Sequence, residues 1–137
     1  MAITLIKDIA WLVAWNGEGH VYLWDADLTG ANLSQADLEG ANLEGANLWL
    51  ANLEGASLGD ANLEGADLEG ARLYSANLIG ANLAGANLRN ANLSRAHLAG
   101  ANLSQAYLKD ALVTDKQLAE ANLDEATTLP NGRKFNG

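Results

Sequence analysis

The sequence predicts an all-β solenoid, and three observations lead to this prediction. A five-residue unit repeats seventeen times from Ala26 to Asp110 without an insertion or deletion. The unit is Ala, then usually Asn or Asp, then Leu, then two variable residues, and Leu holds the third position from Leu28 to Leu108. Gly occupies the fifth position in nine of the seventeen copies, which marks that position as a turn.

A period of five fits neither of the common secondary structures. On a helix five steps advance 500°, so successive Leu residues would move around the cylinder. On a flat strand they would alternate between the two faces. A corner in every repeat removes the conflict. Ala26 and Leu28 then point inward, Thr29 and Gly30 turn the chain, and Ala31 points inward again, which predicts a closed coil filled with Ala and Leu.

The fifth position also predicts the shape of the corners. Gly, Asn and Asp tolerate a positive φ, as the third residue of a type II turn requires. Other residue types suit this geometry less well, and we expect type I geometry at some of their corners. These residues are Gln35, Leu50, Ser75, Arg95 and Gln105.

Two units show a resemblance to a known family. Ala31–Gln35 reads Ala-Asn-Leu-Ser-Gln and Ala61–Gly65 reads Ala-Asn-Leu-Glu-Gly, and both match the repeat of the pentapeptide-repeat family residue for residue. The chain resembles this family strongly over residues 26–110 and more weakly on both sides. The resemblance implies a right-handed, four-sided (quadrilateral) β-helix with twenty residues in each coil, and so about five coils here.

The N-terminal residues 1–20 are predicted to form a cap. Apolar residues at helical spacing over residues 1–15 indicate an amphipathic helix that ends at Asn16 and Gly17. We expect Trp11, Trp15 and Trp24 to cover the first coil, and a membrane-surface helix is the alternative. The repeat body then runs over residues 21–113.

Residues 114–137 are predicted to form a C-terminal cap and tail. Thr114 followed three residues later by Gln117 has the form of a capping box, which predicts a short helix from Asp115 to about Glu120. Ala121–Glu125 is another good repeat, so a frayed final turn is the alternative. We expect the residues after the turn signal at 130–132 to be mobile.

The interior and the row of second-position residues are both predicted to be structural. All central Leu residues are committed to packing, which leaves no room inside for a substrate, a cofactor or a pore. The second position holds ten Asn and three Asp residues. Such a row resembles a set of metal ligands, but stacked Asn side chains that bond one another and the backbone explain it better.

No pattern in the sequence indicates catalysis, so we expect a protein that is not an enzyme and that binds no cofactor or metal. His20 and His97 are the only His residues, they lie far apart in the sequence, and there is no Cys. No catalytic triad, metal-ligand spacing or phosphate-binding loop stands out. The longest apolar run, Ile9–Trp15, is too short to span a membrane, and the cytoplasm is the expected compartment.

The outer surface carries the candidate contacts. Residues 26–70 hold nine acidic residues and no Lys or Arg, whereas residues 71–110 hold four basic residues against one Asp. Stacking of positions twenty apart predicts a weak surface pair between Glu69 and Arg89. Apolar residues stand at outward corners where polar residues or Gly are usual, and two Glu residues lie near them. The candidate protein contacts are Trp49, Leu50, Tyr74, Ile79, Glu54 and Glu69.

These features favour a non-enzymatic structural or protein-interaction module with an unidentified protein partner. We expect a monomer or a weakly self-associating protein, and a net charge of −9 argues against binding to nucleic acid. The resemblance implies one alternative, a DNA-mimicking inhibitor of DNA gyrase that protects against fluoroquinolones. The uniform central Leu residues, the predicted caps and the confinement of acidic residues to one half weigh against it. A membrane-surface protein held by residues 1–15 is a third possibility.

Overall fold

The computed structural model describes residues 21–137, and the predicted helix over residues 1–15 lies outside them, as do Trp11, Trp15 and His20. In the described residues the chain winds into coils of twenty residues. Parallel bridges join residues twenty apart, from Tyr22 with Asn42 to Asn82 with Asn102. Four five-residue units therefore complete one coil, and the prediction of a four-sided solenoid is confirmed for this part of the chain.

The strands of this solenoid are single-residue bridges at the second position of each unit. Within residues 21–137 no longer strand is formed. Each bridge uses backbone hydrogen bonds in both directions. The N–H of Leu33 donates to the carbonyl oxygen of Asn52 at 2.7 Å, and the N–H of Asn52 donates to Ala31 at 2.9 Å. Each coil is therefore bonded to the next along every side.

We number the four faces by their first second-position residue. Face 1 begins with Tyr22, face 2 with Asp27, face 3 with Asn32 and face 4 with Asp37. Each corner takes the number of the face that it follows. Face 3 consequently lies between corner 2 and corner 3, and corner 4 lies diagonally opposite corner 2.

The core is filled by the first- and third-position side chains. Every third-position Leu from Leu43 to Leu108 has no exposed surface, and the Ala residues between them are equally buried or nearly so. Burial of one Leu contributes about 1.5–3 kcal/mol. The prediction that Ala and Leu fill the interior is confirmed.

The corners differ from the expectation in one respect. All fifth-position residues from Asp25 to Asp110 have a positive φ, including Gln35 (60°), Leu50 (56°) and Arg95 (60°). A type I turn has a negative φ at this residue, so the expected type I corners are wrong. The reason is stacking, since the N–H of Gln35 also donates to Glu54 of the next coil at 2.8 Å. The bond to the neighbouring coil outweighs a left-handed strain of about 1–2 kcal/mol.

Side chains at the fifth position lean toward the next coil. A Cβ added at Gly70 would lie 2.6 Å from Cδ2 of Leu50, which stands one coil earlier on the same corner. A Cβ added at Gly65 would meet nothing within 4 Å, because Gly45 precedes it on its corner. The side chain of Leu50 therefore lies against the backbone of Gly70 in the next coil.

A single helix, α1 (Asp115–Ala119), interrupts the coils of the described chain. Thr114 and Gln117 form the predicted capping box, so the helix prediction is confirmed and only its end lies one residue earlier. Residue 117 would pair with His97 in a regular coil, and no such bridge forms within residues 21–137. Asn122 then bridges Asn102, so the alternative repeat is also present, directly after the helix.

The tail is bonded to the last coil. Thr128 bridges Tyr107 in parallel, at a spacing of 21 residues, and pairs with Lys134 in antiparallel fashion. The N–H of Phe135 donates to Thr127 at 2.9 Å. Backbone hydrogen bonds therefore join the tail to the last coil as far as Phe135. The expected mobility of the last residues stays a prediction.

Candidate functional site

The second-position ladder has a structural role, as predicted. The side-chain oxygen of Asn82 accepts a hydrogen bond from the N–H of Ala84 at 3.2 Å, and the same bond recurs at every second-position Asn or Asp from Asp27 to Asn102. Nδ2 of Asn82 also donates to Asn62 of the preceding coil at 3.2 Å, and Asn102 donates to Asn82 at 3.1 Å. These groups are occupied in holding the corners and the coils together.

Fourth-position Glu residues extend this ladder sideways. Oε2 of Glu64 accepts from Asn82 Nδ2 at 3.2 Å, and Oε2 of Glu69 accepts from Asn87 Nδ2 at 3.3 Å. The expected pair between Glu69 and Arg89 is absent from the ion pairs of residues 21–137. That expectation is wrong, since Glu69 Oε2 accepts from the amide of Asn87 on face 2 and Glu69 forms no ion pair within these residues.

Corner 2 brings three of the candidate contact residues together. Trp49 and Leu50 are neighbours there, with 44% and 50% of their surfaces exposed. Glu69 follows one coil later and is half-buried. Two large apolar side chains thus stand side by side on an edge that is otherwise polar.

Corner 3 holds two further candidates. Tyr74 is half-buried, and the guanidinium carbon of Arg95 lies 5.6 Å from the centre of its ring. Glu54, one coil earlier, forms an ion pair with Arg72, which stands on face 3. Five of the six candidates therefore flank face 3.

Ile79 is separated from the other candidates. It stands on corner 4, with 47% of its surface exposed, diagonally across the solenoid from Trp49. The structure does not bring these two residues onto one surface.

Four basic residues surround face 3. Stacking of positions twenty apart already predicts that Arg89 and Lys109 share one column with Trp49, and both lie on corner 2. The position of the other two was not predicted, and they are Arg72 on face 3 and Arg95 on corner 3. Leu112, also on face 3, is 59% exposed. Placing every charged residue in rows of twenty would have found the whole cluster.

A groove opens where the core ends, between α1 and the tail. Its volume is about 450 Å³, and Leu118, Leu123, Leu129 and Phe135 form much of its lining. Among the described residues, Asp115 and Asn122 are the polar ones that line it. This groove exposes the end of the apolar core.

Two carboxyl groups have perturbed acidities. The hydroxyl and the N–H of Thr29 hold the pKa of Asp27 below its usual value. The N–H of Gln105 is the main donor that lowers the pKa of Asp124. Both carboxylates accept hydrogen bonds from backbone N–H groups near corners.

Residues 21–137 contain no group of three His, Cys, Asp or Glu residues that could hold a metal ion.

No helix in the described part of the chain has the length and apolar character needed to cross a membrane.

No curated protein matches the sequence. Among solved structures, the QnrB1 protein, a plasmid-mediated fluoroquinolone resistance protein, is 20% identical over 75% of this chain and 65% of its own, with a TM-score of 0.49. At this identity the likeness concerns the fold alone.

Two pentapeptide repeat proteins from cyanobacteria are more similar in sequence. The protein alr5209 from Nostoc Pcc 7120 is 36% identical over 87% of this chain and 98% of its own, with a TM-score of 0.73. Rfr23 from Cyanothece 51142 is 30% identical over 87% of this chain and 95% of its own, with a TM-score of 0.47.

The family model for pentapeptide repeats matches eight copies, over residues 20–48, 51–90 and 76–115. The solved relatives imply that the solenoid is a right-handed quadrilateral β-helix. With most of its length matched in this way, the chain belongs to the pentapeptide repeat family.

Proposed function

We propose that this chain is a non-enzymatic module that binds another protein through face 3 and its two corners. We call this region the face-3 surface and define it by residues Trp49, Leu50, Glu54, Glu69 and Tyr74 with the four basic residues named above. The observation that carries the proposal is the adjacent exposure of Trp49 and Leu50, at 44% and 50%. Clustered apolar side chains within a polar surface are typical of protein contacts.

The filled interior supports a function on the outside of the solenoid. The central Leu residues have no exposed surface, so the middle coils hold no cavity for a small molecule. The second-position amides are occupied with one another and with the backbone. Exposed side chains at the corners are therefore available to recognise a partner.

Four charged members of the face-3 surface already have intramolecular contacts. Glu54 pairs with Arg72, Glu69 accepts from Asn87, and Arg95 lies over Tyr74. Side chains that are already ordered lose less conformational entropy on binding. Trp, Tyr and Arg are also the residues that contribute most often to binding energy at interfaces.

The test is affinity capture from a lysate of the source organism, read by mass spectrometry. The double variant Trp49→Ala/Tyr74→Ala runs beside the wild type, with Ile79→Ala as the matched control on the opposite corner. We expect one captured protein to fall at least about tenfold with the double variant, as removal of an aromatic anchor predicts, and to persist with Ile79→Ala. Circular dichroism checks that all three proteins are folded.

Equal capture by all three proteins would overturn the assignment to the face-3 surface. DNA gyrase among the captured proteins would instead favour the DNA-mimicking alternative. No observation specific to this chain favours that alternative at present, because the likeness to QnrB1 shows the fold only.

A further inference from the structure

The charges of the face-3 surface change sign along the solenoid axis. Glu54 and Glu69 stand toward the N-terminal coils, whereas three basic residues, Arg89, Arg95 and Lys109, outweigh the single Asp110 on the corners of the C-terminal coils. Glu54 is paired with Arg72, whereas within residues 21–137 the carboxylate of Glu69 accepts from the neutral amide of Asn87 and forms no ion pair. The surface therefore combines an acidic end, a basic end and apolar side chains in a single strip.

We propose that the face-3 surface binds the same surface of a second copy of this chain, with the two solenoids side by side and antiparallel. The inference rests on the proposed function and names the partner at that site. The twofold axis runs perpendicular to the solenoid axes and passes between the coils of Glu69 and Arg89.

Charge complementarity selects the antiparallel arrangement. In a parallel pair the acidic ends would lie together and so would the basic ends. In the antiparallel pair Glu69 of each copy lies opposite Arg89 of the other, because both residues stand on corner 2 in successive coils. Opposite charges across an interface set its register and orientation.

The same axis matches aromatic side chains with cations. On corner 2, Trp49 stands one coil before Glu69, and Lys109 stands one coil after Arg89. The two residues are equally far from the twofold axis, so Trp49 of each copy faces Lys109 of the other. On corner 3, Tyr74 comes to the level of Arg95 of the second copy, but its ring already has Arg95 of its own copy over it, so Trp49 with Lys109 is the new pair that the axis creates. A cation over an aromatic face contributes about 0.5–2 kcal/mol, more when it is desolvated.

A second copy fits this surface better than a uniformly acidic partner. An acidic protein would meet the basic end but would be repelled by Glu69. The twofold pairing also uses one surface on both copies, so it closes as a dimer and does not grow into a filament.

The expected dimer is weak. Asn32 and Leu112 mark four coil steps along face 3, about 19 Å at the spacing of bonded strands. An interface of this length belongs to the smallest class of specific interfaces, which bury less than about 1,200 Å² of surface in total. Screening of its exposed charges should weaken it further as salt is added.

The experiment measures self-association of the full chain by sedimentation velocity over a concentration series at low salt. Glu69→Arg and Arg89→Glu should each weaken the dimer at least about tenfold, and the combined variant should restore it, because the swapped charges meet again across the axis. Glu64→Arg is the matched control. Glu64 is also a fourth-position Glu bonded to the next coil's Asn, but it stands on corner 1.

Small-angle scattering distinguishes a side-by-side dimer from an end-to-end dimer, because the first is a short, thick particle and the second is elongated. A wild type that stays monomeric at all concentrations would overturn the inference, as would an elongated dimer or a dimer weakened equally by Glu64→Arg. A monomeric wild type that still loses its captured protein in Trp49→Ala/Tyr74→Ala would overturn only the self-pairing and would leave the proposed function standing.

Discussion

The middle of the solenoid and its C-terminal end satisfy the same backbone groups by different means. In the middle, every coil lies between two others, and Leu63 and Leu68 have no exposed surface. After Leu112 the register is interrupted by α1 and by the bridge between Tyr107 and Thr128. Neighbouring coils therefore impose the regular geometry. Where the stack of coils ends, side chains must supply the hydrogen bonds that another coil would have made.

Gln117 makes this replacement directly. In a regular coil its backbone N–H would donate to the carbonyl of Ala96, but in α1 that N–H donates to Thr114 Oγ1 at 3.2 Å. Its side-chain Nε2 donates to Ala96 at 2.9 Å and to Leu93 at 2.7 Å. One side-chain amide thus stands in for the missing backbone donor, as buried carbonyl groups require.

The largest effect should come from the middle of the stack. Leu68→Ala is expected to lower the free energy of unfolding by about 2–5 kcal/mol, because it opens a cavity between coils that cannot collapse. Leu123→Ala at the half-buried end should cost about 1 kcal/mol, since less apolar surface is lost. Urea unfolding measures both variants. Equal losses of unfolding free energy in the two variants would contradict the expectation that the middle is packed more tightly than the C-terminal end.

A smaller effect should follow from removal of the Gln117 amide. Gln117→Ala leaves the carbonyls of Leu93 and Ala96 without this donor, which should cost about 1–3 kcal/mol. Gln35→Ala is the control, because Gln35 Nε2 donates to Glu54 at 3.3 Å on an exposed corner. Unfolding of the two variants in urea gives the difference. If both lose the same stability, the side-chain donor in α1 has no special role.

The smallest effect concerns Asp124 and pH. The N–H of Gln105, above all, holds the pKa of this carboxyl below its value in the unfolded chain, with the Thr127 hydroxyl and the N–H of Ala126 adding to the effect. A lowered pKa in the folded state means that the carboxylate stabilises the fold above about pH 3.9 and that this contribution is lost as pH falls through the folded pKa.

Thermal unfolding from neutral to acidic pH measures this contribution. Wild type should have the higher midpoint at neutral pH, and Asp124→Asn should approach it as the pH falls below about 4. A difference between the two proteins that stays constant over this range would contradict the role of the charge.

Local chemistry predicted much of this structure, and its failures have a common cause. The spacing of Ala and Leu predicted the filled core, and Thr114 with Gln117 predicted α1. Leu50 was expected to avoid a left-handed corner, and Glu69 was expected to pair with Arg89. Both errors arise because the adjoining coils, which single-residue preferences do not describe, determine the corner geometry and the direction of each Glu side chain. The register of twenty that the resemblance implies already placed Trp49 and Tyr74 on adjacent corners, but the separation of Ile79 from them was not predicted.

The register of twenty means that the core and the surface of this protein tolerate different genetic changes. Loss of one unit, such as residues 61–65, would leave every later Leu in frame with the interior. The same loss would rotate all later side chains by a quarter turn and move Arg89 from the edge of Trp49 to the edge of Glu44. Gain of a whole coil would lengthen the rod and keep both residues on one edge. The core is therefore kept when units of five are lost or gained, whereas the side chains that share one edge stay together only when units of twenty are lost or gained.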